Sequence, residues 1–160
     1  MTGLPHNVRT CLWFERDCLE AARFYTGLVP DSTLETDAPG GSNPIIVAFT
    51  LGGVPYQILN GGPHHRLTPA ASIVVTTRDQ AETDHMWEAL TANGGSPGRC
   101  GWLTDRWGLS WQIVPEALPS LLGAPDRDAA ARVQAAMQQM NKIDIAALEA
   151  AFNTERRRLT

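Results

Sequence analysis

The chain is poor in cysteine, with three in 160 residues, and poor in charge, with 19% Asp, Glu, Lys and Arg. Cys11, Cys18 and Cys100 are odd in number and show no CxxC spacing, which argues against a disulfide scaffold or a zinc knuckle. No apolar run approaches the roughly 18 residues that span a bilayer, and the opening segment, Met1 to Arg9, lacks the apolar core of a signal peptide. The expected location is therefore cytoplasmic, with no membrane partner. A basic footprint for nucleic acid is missing as well: the formal net charge is −4, and the single basic cluster, Arg156-Arg157-Arg158, reads as a solvated helix end. What is present is a 43% hydrophobic chain of a length that suits one domain, long enough to bury a core without staples.

Its most informative feature is an internal duplication. Thr10-Cys11-Leu12-Trp13-Phe14 is a short strand candidate, followed by Asp17 and an amphipathic segment from Cys18 to Leu28. Ser72-Ile73-Val74-Val75-Thr76 is β-branched and is followed by Asp79 and a helical segment from Gln80 to Asn93. Asp17 and Asp79, Phe24 and Met86, and Leu28 and Leu90 all stand 62 residues apart. Both aspartates occupy the place of a helix N-cap. Gly53-Val54-Pro55-Tyr56-Gln57-Ile58 then resembles Gly108-Leu109-Ser110-Trp111-Gln112-Ile113 at a spacing of 55. The first copy is longer by seven residues, and Asp37–Asn43, rich in turn formers, is the natural insertion. Each copy reads strand, helix, strand, strand, strand.

The resemblance these residues carry is to the vicinal oxygen chelate superfamily, the group of glyoxalase I, extradiol dioxygenases and bleomycin-resistance proteins, and within it to the PhnB-like branch. It rests on Leu12-Trp13-Phe14, Ala21-Ala22-Arg23-Phe24-Tyr25, Leu59-Asn60-Gly61-Gly62-Pro63-His64, Cys100-Gly101-Trp102-Leu103-Thr104-Asp105, Gly108 to Pro115 and Met137 to Ile145. It implies an α+β fold: two βαβββ modules, about 8–62 and 70–116, whose strands curl into a cup-like mixed sheet within a domain spanning 1–116. A helical extension, 117–160, follows. Pro125-Asp126 opens one helix there and Asp144 caps another, with apolar stripes that pack on the domain or on a dimer partner. The superfamily's habits imply a homodimer.

In metal-dependent members of the superfamily, one residue from the first and one from the last strand of each module converge on a divalent cation. Register puts those positions at Thr10, Gln57, Ser72 and Gln112. None is anionic and none is an imidazole, so the quartet offsets the lost hydration of a dication poorly, and no metal and no cofactor are expected. His64 and His65 are neighbours that point apart in an extended chain, and His85 lies within a helix. Strand alternation places Thr10, Leu12 and Phe14, with Gln57 and Leu59, in the cup, and likewise Ser72, Val74, Ser110 and Gln112. Cys11, Trp13, Tyr56 and Trp111 then face the helices. Cys100, beside Arg99, is the one candidate nucleophile, since a neighbouring cation lowers a thiol pKa; a structural thiol is the competing reading.

Branch members carry a 3-demethylubiquinone methyltransferase-like label. The glycine pairs at 40–41, 52–53, 61–62 and 94–95 read as turns rather than a nucleoside-binding loop, so methyl transfer is not expected. The leading expectation is a metal-independent protein that binds a small, mostly apolar ligand. The alternatives are a glyoxalase- or dioxygenase-like enzyme with a metal held elsewhere, and a non-catalytic dimeric scaffold.

Overall fold

The computed structural model describes residues 7–37 and 43–154. Two compact units divide between Thr68 and Pro69. The first carries β1 (Thr10–Phe14), α1 (Cys18–Leu28), β2 (Thr33–Leu34), β3 (Ile46–Leu51) and β4 (Val54–Asn60), in sheet order β1-β4-β3-β2. The second carries β5 (Ser72–Thr77), α2 (Gln80–Thr91), β6 (Ser96–Pro97), β7 (Trp102–Thr104) and β8 (Ser110–Pro115), in the order β5-β8-β7-β6. Both are open mixed sheets of identical topology, with one parallel pair (β1–β4, β5–β8) and antiparallel neighbours beyond it. The duplication read from the sequence is thus a duplication of structure. Helices α3 (Ala117–Leu122), α4 (Arg127–Met137) and α5 (Ile145–Asn153) complete the second unit. Much of the inferred insertion, 38–42, lies outside the described residues.

Each sheet buries one face under its helix. In the first unit Phe14, Tyr25, Phe49 and Tyr56 form a chain of ring contacts: Phe14 meets Tyr25 edge-on at 6.5 Å, Tyr25 meets Phe49 at 6.4 Å, and Phe49 stacks on Tyr56 at 5.7 Å. Such pairs add about 0.5–1.5 kcal/mol each beyond the area they bury. The β3–β4 hairpin turns on Gly52 and Gly53, both at positive φ (56° and 78°), which is the two-residue geometry that matches strand twist.

In the second unit the β7–β8 connection is organised by Asp105, a carboxylate only 3% exposed. Its Oδ1 accepts from the backbone N–H groups of Trp107 (2.9 Å) and Leu109 (3.0 Å), and its Oδ2 accepts from the indole N–H of Trp111 (2.8 Å). The first unit's hairpin is served differently: Ser32 Oγ accepts from Gly52 N–H at 2.9 Å, and Asp31 O accepts from Gly53 N–H at 3.0 Å.

Of the three C-terminal helices, α4 and α5 start where their caps predict, while α3 starts after Glu116 with no side-chain cap bond. Asp126 accepts from Ala129 N–H and Asp144 from Ala147 N–H, each at 2.9 Å. Leu118, Val133, Ile143 and Leu148 form their buried core, with Met137, Met140 and Phe152 packed against it. Arg132 closes the far end of α5 by donating to the carbonyls of Ala151 (2.9 Å) and Phe152 (2.8 Å). The segment is fastened to α2 by Gln80, whose side-chain amide donates to Ile143 O (3.1 Å) and accepts from Ile145 N–H (2.9 Å). Lys142 adds an ion pair with Asp84 at 2.7 Å. No helix among the described residues is long and apolar enough to cross a membrane.

Candidate functional site

The face of each sheet turned away from its helix is the natural place for a ligand, and cross-strand pairing fixes which residues it carries. In the second unit Ser72 pairs with Ser110, Val74 with Gln112 and Thr76 with Val114. Trp111 and Ile113 are fully buried on the opposite side. Ser72, Val74, Ser110 and Gln112 therefore share the helix-free face, and the Gln112 side-chain amide donates to Ser72 Oγ at 2.9 Å. Val74 is exposed, whereas Val114 packs against the core of the C-terminal helices.

In the first unit the expected side of β1 is reversed. Leu12 and Phe14 are 6% and 2% exposed, and Phe14 lies against Tyr25 of α1, so both belong to the core rather than to a cavity. Thr10 pairs with Tyr56, on the same side, and is exposed at the strand's start. Cys11 and Trp13, read from the sequence as core, pair with Gln57 and Leu59 on the helix-free face.

The cause is one residue. Two residues, Glu15 and Arg16, separate β1 from Asp17, but Arg78 alone separates β5 from Asp79. Asp79 is a true cap, accepting from Glu82 N–H at 2.8 Å. Asp17 sits instead in the left-handed region (φ 63°) with no side-chain cap bond, and Asn60 Oδ1 serves the first turn by accepting from Cys18 N–H at 3.2 Å. A slip of one residue inverts every side chain of a strand. Gln57 and Gln112 stay equivalent, but the neighbour of Gln57 is Cys11, and the counterpart of Ser72 is Arg9.

Arg9 is the residue that sequence reasoning missed. It lies two positions before Cys11, and its side chain reaches across the sheet to Glu35, which follows β2 beside Ala48. Arg9 Nη2 donates to Glu35 Oε2 at 2.7 Å, and Nη1 donates to Tyr56 O at 3.0 Å. The side chains are 6% and 11% exposed, so an ion pair lies almost wholly out of solvent on the helix-free face. Only an arginine at the correct register position could have signalled it; the glutamate, 26 residues away, carried no signal.

An apolar rim adjoins this polar spot. Trp13 donates its indole N–H to Gly62 O at 2.9 Å and meets His65 edge-on at 4.6 Å. A Cβ on Gly61 would lie 2.2 Å from the Trp13 ring, so the absence of a side chain there sets the ring's position. Ile46 pairs with Leu59 and is 48% exposed.

Cys100 lies in the turn before β7, at a left-handed φ of 56°. Its N–H donates to Met140 O at 2.8 Å, and Arg99 donates to the Gln138 carbonyl at the end of α4. The Arg99 contact thus serves the helix terminus, and the Cys100 backbone ties the turn to the C-terminal helices. Cys18 is buried in α1, and burial, with the neighbouring Asp17 charge second, pushes its thiol up to about 12.

The superfamily's metal does not fit the residues present. The corrected first-strand positions bring Cys11 or Arg9 beside Gln57 in one unit, and Val74 or Ser72 beside Gln112 in the other. A guanidinium repels a cation, and one Glu35 oxygen is already engaged by it. Among the described residues no three of His, Cys, Asp and Glu gather where they could hold an ion.

A family model described as 3-demethylubiquinone-9 3-methyltransferase matches residues 6–114. Among solved structures, the PhnB protein from Bacillus cereus is 29% identical, with 69% of this chain and 99% of that one covered and a TM-score of 0.58. Protein PA1353 from Pseudomonas aeruginosa is 22% identical over 69% of this chain and 98% of its own, with a TM-score of 0.55. A glyoxalase/bleomycin resistance protein from Albidiferax ferrireducens T118 is 16% identical over 68% and 96%, with a TM-score of 0.47. No curated protein matches the chain. Helices α3 to α5 begin where the family match has already ended. On the strength of that match and of two sheets with one shared topology, the chain belongs to the 3-demethylubiquinone-9 3-methyltransferase family and is similar to the PhnB protein, with the paired-module fold that the vicinal oxygen chelate resemblance implies.

Proposed function

We infer that the protein binds a small, mostly apolar organic molecule on the helix-free face of its first unit, without a metal ion. The observation that carries this reading is the exposed apolar surface there: Ile46 is nearly half exposed beside Leu59 and Trp13, on a face that α1 does not cover. Apolar surface gathered around a few polar groups is how small-molecule sites are lined, and Gln57 and Cys11 supply polar groups. The donor chemistry at the superfamily's metal positions favours the metal-free form of the reading. Methyl transfer is not part of this proposal.

The test is a thermal-shift screen of metal-stripped protein against apolar metabolites and antibiotics, with metal analysis of the protein as purified. A ligand at 100 times its Kd stabilises by about 2.7 kcal/mol, a rise of roughly 5–10 °C in Tm for a chain of this size. Stabilisation of the metal-free protein by an apolar compound is the expected result. A stoichiometric divalent ion that resists chelation overturns the reading in favour of a metalloenzyme. No stabilisation by any compound overturns it in favour of a scaffold.

A further inference from the structure

Within the ion pair on that face, two atoms are left over. Arg9 Nε and Glu35 Oε1 are buried and have no hydrogen-bond partner among the described residues. The two side chains share one contact, Nη2 to Oε2 at 2.7 Å. A complete side-on pair makes two parallel bonds, the second from Nε to the other carboxylate oxygen. Here that second bond is open, leaving a donor and an acceptor beside the same contact. A buried charged group with an unmet hydrogen bond is costly, so the pair is suited to receive a further partner.

The chemistry of the gap specifies the occupant. Nε–H requires an acceptor and Oε1 requires a donor, and the pair as a whole is neutral. A carboxylate satisfies the arginine but repels the glutamate, and an ammonium does the reverse. A hydroxyl accepts from Nε and donates to Oε1 through one oxygen, with no net charge to desolvate. We propose that the half-made Arg9–Glu35 pair is the polar recognition element of the site, and that it selects a neutral hydroxyl-bearing ligand, such as a phenol, whose apolar body lies against Trp13, Leu59 and Ile46. This rests on the binding face proposed above and adds the ligand's class to it.

The experiment compares four probes of similar size by calorimetric titration: toluene, p-cresol, benzoate and benzylammonium. Against an apolar wall alone toluene binds better than p-cresol, because the hydroxyl must be desolvated. The expected result is the opposite order in the wild-type protein, with p-cresol tighter than toluene by roughly tenfold, the worth of one or two net hydrogen bonds, and both ions weaker. Arg9→Lys keeps the charge opposite Glu35 but has no Nε–H, and the preference for p-cresol is expected to fall to near unity. Arg9→Met with Glu35→Met replaces the pair by apolar side chains, an exchange that is often neutral or stabilising to the fold, and toluene is expected to win. Toluene and p-cresol binding equally to the wild type overturns the inference while leaving the binding face standing, since an internal water would then satisfy both atoms. A preference for either ion, or a hydroxyl preference that survives in the double variant, also overturns it. If no probe binds, the binding face itself falls, and this inference with it.

Discussion

Asp105 offers the sharpest energetic test of how the second unit is held together. Its carboxylate receives three N–H groups, two of them from Leu109 and Trp111, residues with almost no solvent contact. Asp105→Ala strands those two donors, at about 1–3 kcal/mol each, while the Trp107 N–H, in a half-buried residue, recovers part of its loss from water. The expected cost is about 3–5 kcal/mol, a large share of the stability of any domain. Asp105→Asn separates charge and geometry from mere volume. Its oxygen still serves one side of the turn, but its NH₂ group faces an N–H on the other, which costs about 2 kcal/mol. Removing the indole donor with Trp111→Phe relieves that conflict, so the Asn substitution is expected to cost about 1 kcal/mol less in the Phe background. Urea denaturation of the four proteins, read as shifts in midpoint at constant slope, measures the cycle. An Asn variant within 0.5 kcal/mol of wild type, or a cycle with no coupling, refutes the account of Asp105 as the clamp of the β7–β8 connection.

Gly61→Ala drives a methyl group into the Trp13 ring, whose nearest atom is 2.2 Å from the added carbon, and is expected to destabilise by about 1–3 kcal/mol, with loss of the Trp13–Gly62 bond seen as a shifted indole NMR resonance. Thiol labelling at pH 8, followed by mass spectrometry, is expected to modify exposed Cys11 quickly and Cys18 only on unfolding, because Cys18 is buried and its thiol is raised to about 12. The same shift makes the Cys18 contribution to stability complete below the unfolded thiol range and lost as pH climbs towards 12, so alkaline unfolding above pH 9 is expected to lessen in Cys18→Ala relative to its own neutral stability. Asp84 is held below the usual carboxylate range by hydrogen bonds from Lys142 first and Gln80 second. Its contribution is present above the unfolded carboxylate pKa and fades as pH falls through the lowered one, so Lys142→Met is expected to flatten the acid limb of a stability–pH curve and leave the neutral limb's slope unchanged.

The parts of the fold legible in the sequence were those set by local chemistry. Asp79, Asp126 and Asp144 mark helix starts because a side-chain oxygen there meets a free N–H three residues on, and each does so in the structure. The 62-residue spacing held for the helices, Cys18 and Gln80 opening α1 and α2. The same spacing failed for β1, because Asp17 looks like Asp79 in the sequence but takes a left-handed backbone and absorbs an extra residue. That single residue moved Leu12 and Phe14 into the core, brought Cys11 and Trp13 out of it, and hid Arg9 from view. In the second unit, with no extra residue, Ser72, Val74, Ser110 and Gln112 share the helix-free face by register, but Ser110 is itself buried there and lines no open surface. The Arg9–Glu35 pair was illegible for another reason. It joins strands at opposite edges of a sheet, and no local pattern encodes which side chains meet across two intervening strands. Asp105 belongs to the same class, since its importance comes from three donors that only the folded turn assembles.

The central claim is that the ligand is held by side chains and not by a bound ion. The most direct measurement is a calorimetric titration of an apolar probe such as toluene into protein exhaustively stripped with chelator, repeated after adding back one equivalent each of zinc, nickel, iron(II) or manganese. Toluene is expected to bind with the same affinity throughout. Binding that appears only once a metal has been restored contradicts it.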